Sequence, residues 1–401
     1  MKTGTIAAII DLNEVDSALL PLTTYRPIGT LPFAGRYRLL DFPLSAINHA
    51  NIHSVGLFLP RSGRSVQDHI RSGSSWDLDS LQGGVFMFPY IAERDYDDAA
   101  TRQRYYDDYL QFLRKSETQY TAVMGSQSIA NLDLDALVAY HKAGDSRLTT
   151  MYKQVPKSQV DDHDWTVELS ELGTASSIVR AKQHHGQPGV DTLPVFMNVY
   201  LLETQDLIDM LVAASEKKHF KRLPQVLREA VLENNANAFE YTGYLATITS
   251  LARYYAANMA MLDDTNYQAL FYTSRPIETK NKNEVPTFFA KDSAVTSSLV
   301  GTGGYIEGTI THSVIFRNVV VHRDATVADS IVMQGSKISA GSEVRYAILD
   351  KGVVIGPNLS LIGTPEKPLV FEKNQRVFNK QGRRSTHNES FICRSRRRTT
   401  L

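Results

Sequence analysis

Short apolar runs alternate with amphipathic stretches over the first two-thirds of the chain. Four of the runs have the length and composition of buried β-strands. They cover residues 5–10, 55–59, 120–124 and 195–202. Four further segments space their apolar residues as helices do, at residues 105–114, 132–141, 205–214 and 244–262, the last being the longest. Strands that alternate with helices predict an α/β domain with a mainly parallel sheet.

The pattern changes in the last third of the chain. From Ser293 onward the helical spacing disappears, and apolar residues recur every six positions with two slips of one residue. These positions are Ile315, Val321, Val327, Met333, Ile338, Val344, Leu349, Ile355 and Leu361. One short strand per hexad, with a turn at each corner, predicts a parallel β-helix. A meander of ordinary short strands is the alternative.

These patterns divide the chain into four parts. We expect an α/β domain over residues 1–265, a linker over 266–290, a hexad-repeat domain over 291–372 and a basic tail over 373–401. The tail ends in a run of arginines from Arg394. A terminal run of like charge predicts a solvated, disordered segment, and a contact with nucleic acid or phosphate is the alternative.

Composition excludes several classes of partner. Lys plus Arg and Asp plus Glu are both 43, so no net charge attracts the chain to nucleic acid or to a membrane. Cys393 is the single cysteine, so no internal disulfide forms. The apolar run at Ile6–Ile10 is too short for a signal sequence or a membrane span. We therefore expect a cytoplasmic protein.

Two stretches resemble a known family. Leu22-Thr-Thr-Tyr-Arg, followed by the segment 31–48 that begins Leu-Pro-Phe-Ala-Gly-Arg-Tyr-Arg, is similar to the "PFGGKYRLIDFPLSN" signature of ADP-glucose pyrophosphorylases. The hexad array after an α/β domain is the domain order of the same family, the glucose-1-phosphate adenylyltransferases. The resemblance implies a Rossmann-like nucleotidyltransferase domain, a C-terminal left-handed parallel β-helix and a tetrameric assembly.

Active members of that family join ATP and glucose 1-phosphate to give ADP-glucose and pyrophosphate for glycogen synthesis. The reaction needs a glycine-rich loop around the triphosphate and carboxylates that hold Mg²⁺. At the loop positions this chain has no glycine, and Glu14 and Asp16 would repel a triphosphate. The family's loop arginine falls on Ala18, and its phosphate lysine falls on Ile28.

Both metal-binding aspartates of the family are also replaced. Their positions hold Ser126 and Tyr241, so we expect no retained cofactor, although the family uses Mg²⁺. Glu240 is adjacent to the second position, but neighbouring residues of an extended segment point in opposite directions. Losses at the loop, the lysine and both metal positions have one common explanation, which is that the chain does not perform the chemistry.

This combination of losses is similar to the GlgD-type regulatory subunit of the family. Such a chain is inactive alone, and we expect it to form a hetero-oligomer, a tetramer by the family's pattern, with a catalytic adenylyltransferase subunit that it modulates. Whether the chain is itself an enzyme stays open. The alternatives are an active sugar-phosphate nucleotidyltransferase with an unorthodox site and a hexad-repeat acyltransferase that uses His312 or His322.

Several cations are candidates for binding anions. The family binds sugar-phosphate or phosphate effectors between its two domains, and arginine forks suit phosphate. The candidates here are Arg26, Arg36, Arg38 and Arg61, with structural ion pairs, for example to Asp41, as the alternative. Lys182 stands where the family's sugar-phosphate lysine falls, or it is a plain surface lysine. His184 and His185 are adjacent in a polar loop and do not predict a metal site.

Overall fold

The structure is a computed structural model that describes residues 5–14, 17–79, 83–89, 99–185, 189–217 and 219–379. Its helices are α1 Asp41–His49, α2 Arg64–Ile70, α3 Ala99–Ser116, α4 Leu134–Ala143, α5 Thr204–Glu216, α6 Leu223–Asn234, α7 Leu251–Ala260 and α8 Asp264–Phe271. The strands that precede the hexad region are β1 Ile6–Asp11, β2 Pro32–Phe33, β3 Tyr37–Arg38, β4 Ser54–Phe58, β5 Gly84–Phe88, β6 Tyr120–Met124, β7 Ser128–Ile129, β8 Leu148–Pro156, β9 Trp165–Leu169, β10 Ala175–Arg180, β11 Thr192–Glu203, β12 Asn237–Glu240 and β13 Ala246–Thr247.

A nine-stranded sheet forms the centre of the first domain. Its main order is β10-β9-β11-β6-β1-β4-β5, and β8 and β12 extend it from β11. Strand β1 is buried along its whole length, and apolar clusters cover both faces of the sheet. Helices α3, α5 and α6 contribute to one cluster, whereas α1, α2 and α4 contribute to the other. The Rossmann-like domain is therefore a sheet between two helical layers.

The prediction of a mainly parallel sheet is only half correct. Strands β6, β1, β4 and β5 are mutually parallel, but β11 runs antiparallel to β6, β8 and β9. Strand β10 is likewise antiparallel to β9. Strands β9 and β10 are joined by a short polar turn, and a short turn returns the chain antiparallel.

The four predicted strands and three of the predicted helices are present, but the helix predicted over 244–262 is shorter. It begins only at Leu251, because the preceding residues form β13, which pairs with β7. The Ser250 hydroxyl accepts a hydrogen bond from the Arg253 amide at 3.3 Å and so caps the helix. A polar cap and a β-branched run, Thr247-Ile248-Thr249, ended the helical pattern earlier than its apolar spacing indicated.

The hexad region is a left-handed parallel β-helix, as predicted. Three parallel sheets form its sides, and each turn of the chain contributes one strand to each sheet. The nine hexad residues named above are all buried, with at most 5% of their surface exposed. The strands are β14 Phe288–Phe289, β15 Ala294–Thr296, β16 Leu299–Val300, β17 Tyr305–Ile306, β18 Thr309–Thr311, β19 Val314–Ile315, β20 Val320–Val321, β21 Thr326–Ala328, β22 Ile331–Val332, β23 Lys337–Ile338, β24 Glu343–Arg345, β25 Ala347–Leu349, β26 Val354–Ile355, β27 Ser360–Ile362, β28 Leu369–Phe371 and β29 Arg376–Val377.

One side of the β-helix packs on the first domain. A shared apolar cluster joins residues of the signature segment, such as Phe33 and Phe42, to residues of the β-helix, such as Phe316 and Ile348. The Tyr255 hydroxyl also donates to the Asp329 carbonyl across this junction at 2.6 Å. The two parts of the chain therefore share one continuous core.

Several expected boundaries fall inside elements of the structure. Residue 265 is the second residue of α8, and β14 begins three residues before 291. Strand β29 lies within the segment expected to be a tail, where it pairs with β26. The arginine run and Cys393 lie outside the described residues. Within the described ranges, no helix combines the length and the apolar character that crossing a membrane requires.

Candidate functional site

The carboxyl ends of β4, β1 and β6 meet at one edge of the sheet. In open α/β sheets, ligands bind in the crevice outside this edge. The segment 12–14 leaves β1 here, and the turn 125–127 leaves β6 beside it. Both segments carry positions at which the family holds nucleotide or metal.

Glu14 occupies this crevice. Its Oε1 accepts hydrogen bonds from the backbone N–H groups of Ser126 at 2.7 Å and Gln127 at 3.0 Å. Its Oε2 accepts from the Ser126 hydroxyl at 2.5 Å. We expected the Glu14 carboxylate to face an incoming triphosphate. In the structure it points inward instead, where Ser126 and Gln127 bind it. Asp16 lies outside the described residues.

Close packing surrounds this contact. Ser126 is fully buried. A Cβ atom added to Gly29 would lie 2.9 Å from the Ser126 hydroxyl oxygen and 3.1 Å from Leu12 Cδ2. A Cβ atom added to Gly125 would lie 2.6 Å from the Glu14 carboxylate. Gly29 thus lets the chain close on Ser126, and Gly125 lets it close on Glu14, so this part of the crevice is filled with protein.

Burial dominates the electrostatics of the crevice. It raises the pKa of Glu14 to about 7, although hydrogen bonds from Ser126 and Gln127 lower it. The pKa of Asp11 is also raised by burial, although hydrogen bonds from Asn13 lower it. The Asp11 charge in turn raises the pKa of Glu14. Two neighbouring acidic groups make this edge unfavourable for a polyphosphate.

The other altered positions do not supply a metal site. The Tyr241 hydroxyl donates to the Asn131 carbonyl at 3.3 Å and accepts from the Asn131 N–H at 3.2 Å. Burial raises the Tyr241 pKa to about 12, so this oxygen is not an anionic ligand. Ile28 is buried in the apolar core, and Ala18 is exposed on a 3₁₀ turn.

These residues do not fit Mg²⁺. The ion prefers several oxygen ligands in octahedral geometry, usually including carboxylates. The Ser126 hydroxyl is bound to Glu14, and the Tyr241 hydroxyl is bound to a backbone carbonyl. In the part of the chain that the structure describes, no group of three His, Cys, Asp or Glu side chains is placed to hold a metal.

Lys182 and the nearby histidines do not converge on this crevice. Lys182 is exposed on the 3₁₀ turn Ala181–Gln183. His184 and His185 both approach the Glu168 carboxylate, at 3.5 Å and 3.3 Å. In the β-helix, His312 and His322 form half-exposed pairs with Asp329 and Glu307.

A second, cationic cavity lies at the junction of the α/β domain and the β-helix. Its volume is about 390 Å³. Tyr37 and Tyr267 supply aromatic walls, and the signature segment, the linker and the β-helix supply cations. The cationic residues that line it are Arg36, Arg38, Lys280, Lys282 and Arg317.

Burial and like charge act on these cations together. Burial lowers the pKa of Arg38 to about 10, in spite of the nearby Asp41. The pKa values of Lys280 and Lys282 are lowered by burial first and then by neighbouring cations. Arg317 is partly neutralised by an ion pair with Glu284. An anion bound in the cavity would relieve this repulsion, which is a physical reason for such a site to bind phosphate.

The four candidate arginines have different surroundings. Arg36 and Arg38 line the cationic cavity. Arg26 is buried and forms an ion pair with Asp350 of the β-helix, whereas Arg61 is exposed and is not among the residues that line the cavity. Asp41 is bound by His69 at 2.5 Å and by the Arg38 backbone N–H at 2.9 Å, so arginine side chains are not its hydrogen-bond partners here.

Sequence reasoning missed three cations of this cavity. Lys280 and Lys282 lie in the segment predicted as a linker, and Arg317 follows a hexad strand. The Thr-Lys-Asn-Lys run at 279–282 was the available signal, since two closely spaced cations in a linker between two predicted domains are candidates for anion binding.

Comparison with known proteins agrees with both parts of the fold. Residues 17–163 match the model of the family described as nucleotidyl transferase, and residues 286–368 match the model described as GlmU-like, C-terminal hexapeptide. The glycogen biosynthesis protein GlgD of Bacillus subtilis is 30% identical over 93% of this chain and 97% of its own length. The protein of the same name from Geobacillus stearothermophilus is 31% identical over 91% of this chain and 95% of its own length.

Proteins named glucose-1-phosphate adenylyltransferase also occur among the relatives. The glucose-1-phosphate adenylyltransferase of Bacillus cytotoxicus is 27% identical over 88% of this chain and 94% of its own length. Fold and crevice together define a protein of the nucleotidyltransferase class that carries a C-terminal β-helix. The chain belongs to the GlgD family of glycogen biosynthesis proteins, within the wider glucose-1-phosphate adenylyltransferase group.

Proposed function

We propose that this chain is a regulatory, non-catalytic subunit of glucose-1-phosphate adenylyltransferase, and that it modulates a catalytic partner in glycogen biosynthesis. The observation that carries the proposal is the filled crevice at the ends of β1 and β6. Glu14 is bound by Ser126 and Gln127 there, and Gly29 packs on Ser126 from the other side. A nucleoside triphosphate and its metal ion have neither the space nor the ligands that adenylyl transfer needs.

Regulation is assigned to the cationic cavity at the domain junction. A sugar phosphate or inorganic phosphate bound by Arg38, Lys282 and Arg317 would contact both the α/β domain and the β-helix. Such a ligand stabilises one relative arrangement of these two parts, and this is how it would couple to neighbouring subunits. Arg36 and Lys280 extend the same cationic wall.

The N-terminal end of the β-helix is a candidate contact surface for the catalytic partner. Phe288, Phe289 and Tyr305 expose 54%, 47% and 44% of their surfaces. The rings of Phe288 and Tyr305 stack at 5.2 Å, and β14 is the edge strand of its sheet. An exposed aromatic patch beside an unpaired strand edge favours burial in a subunit interface.

Complex formation tests the regulatory assignment. We expect the chain, co-expressed with a catalytic adenylyltransferase of the same cell, to elute from gel filtration with it at the size of a tetramer. Phe288→Ser with Phe289→Ser should weaken that association without unfolding the chain, because both side chains are exposed. Separate elution of the two wild-type chains would contradict the assignment.

Phosphate binding tests the cavity. Lys282→Ala is expected to weaken the binding of inorganic phosphate and of a hexose bisphosphate by roughly ten- to a hundredfold, since a charge-assisted hydrogen bond contributes about 1.5–3 kcal/mol. Isothermal titration calorimetry on the isolated chain measures both ligands.

Arg61→Ala is the matched control for this measurement, because it also removes one cation, but from a residue outside the cavity lining. It should leave both affinities unchanged. If Arg61→Ala weakens binding as much as Lys282→Ala does, the anion is attracted by general charge and the cavity is not its site.

A further inference from the structure

Three hydrogen-bond donors at the end of β6 converge on one point. They are the Ser126 N–H, the Ser126 hydroxyl and the Gln127 N–H, and all three donate to the Glu14 carboxylate at 2.5–3.0 Å. Successive backbone N–H groups that point into one concavity form an anion-binding nest. Here the anion comes from the same chain, 112 residues earlier in the sequence than Ser126.

We infer that Glu14 is a built-in ligand of a latent carboxylate-binding site formed by Ser126 and Gln127. The inference rests on the proposed function, because the same filled crevice carries that proposal, and it adds the class of ligand that the crevice binds. The crevice lacks its catalytic groups, and the inference explains why it is also closed. The Glu14 carboxylate occupies hydrogen-bond donors of Ser126 and Gln127 that could otherwise bind an anion from solution.

The shape of the nest selects the class of ligand. Oε1 and Oε2 of Glu14 take different donors, an arrangement that suits the planar, two-oxygen end of a carboxylate. Gly29 packs closely on the Ser126 side chain, and a Cβ atom added to Gly125 would clash with the Glu14 oxygen. A tetrahedral phosphate is bulkier than the group now bound, so the site should prefer a small carboxylate.

Chemical rescue tests the inference directly. Glu14→Ala removes the Cγ and carboxylate carbons, and acetate has the same two carbons and two oxygens. We expect Glu14→Ala to melt at a lower temperature than the wild type. Acetate at about 100 mM should restore most of the lost melting temperature, because a ligand that binds only the folded state stabilises it by mass action.

Matched samples separate this effect from that of salt. Sodium chloride at equal ionic strength should not restore Glu14→Ala, and sodium phosphate should restore it less than acetate does. Wild type should not respond to acetate, since its nest is already filled. Glu171→Ala is the control variant, because Glu171 is an exposed glutamate in a turn. It should neither melt earlier nor respond to acetate.

The outcomes divide clearly. Acetate-specific recovery that is confined to Glu14→Ala supports the latent site, as does acetate-dependent folding if that variant does not fold alone. Equal responses of all variants to acetate and chloride overturn it. Hydrogen exchange in Glu14→Ala gives a second measurement, because the Ser126 and Gln127 amides lose their acceptor there and should exchange faster than in the wild type. Acetate should slow that exchange again, and exchange that acetate leaves unchanged would also overturn the inference.

Discussion

Ser126→Asp combined with Tyr241→Asp is expected to leave the isolated chain without measurable ADP-glucose synthesis. The two changes restore carboxylates at both metal positions of the family, but they leave Glu14 and Gly29 in the crevice. Each missing group that stabilises the transition state typically costs roughly 10²–10³-fold in rate. Absence of the glycine-rich loop and of the phosphate lysine, whose position holds Ile28, therefore keeps the rate at background.

Release of pyrophosphate in the presence of ATP, glucose 1-phosphate and Mg²⁺ measures this rate. The control is a catalytic relative in which the two metal-binding aspartates are replaced by Ser and Tyr. This relative should lose its activity. A rate for the double variant close to the rate of an active relative would contradict this prediction. It would show that the crevice is open to nucleotide and that Glu14 does not close it.

Asp350→Asn is expected to destabilise the chain by about 3–5 kcal/mol, the usual cost of leaving one partner of a buried ion pair unpaired. The Arg26 and Asp350 side chains expose only 5% and 1% of their surfaces. Arg26 Nη1 already has no hydrogen-bond partner among the described residues. The adjacent Lys351 has its pKa lowered to about 7 by burial and by Arg38 and Arg26, so the substitution also removes a carboxylate from a cluster of cations.

Urea unfolding of the variants measures the change. Asp329→Asn is the matched control, because it neutralises a β-helix aspartate whose partners, His312 and Arg345, are about half exposed. Exposed pairs typically contribute about 0–1 kcal/mol, so this control should change little. Arg26→Met with Asp350→Leu should regain most of the loss, since an apolar pair leaves no buried charge. Equal effects of Asp350→Asn and Asp329→Asn would mean that the buried pair does not stabilise the domain junction.

Local patterns in the sequence were sufficient to predict most of the fold. The hexad spacing predicted the β-helix because each buried residue repeats the same position on successive turns, and every one of those residues is buried. Apolar runs located β1, β4, β6 and β11, whereas strand direction was not encoded in them. The length of α7 was overestimated, because apolar residues at 244–248 pack as an extended segment beside β7 rather than as a helical turn.

The site was only partly predictable. Ser126 and Tyr241 were found because a motif marks their positions, but their partners Glu14 and Asn131 lie more than a hundred residues away in the sequence. Glu14 was therefore interpreted as a repelling charge, and its role as an internal ligand became visible only with the turn after β6 beside it. The cationic cavity combines three separate segments of the chain, and no local pattern connects Arg38, Lys282 and Arg317.

The most direct test of the regulatory account is the rate of ADP-glucose synthesis in three samples: this chain alone, its catalytic partner alone, and the two co-purified together. The account predicts background activity for the chain alone. It also predicts that the complex differs from the partner alone at least several-fold in maximal rate or apparent substrate affinity, within the roughly 5–150-fold range of typical coupling. Robust Mg²⁺-dependent turnover by the chain alone, or a complex with the same kinetics as the partner, would contradict it.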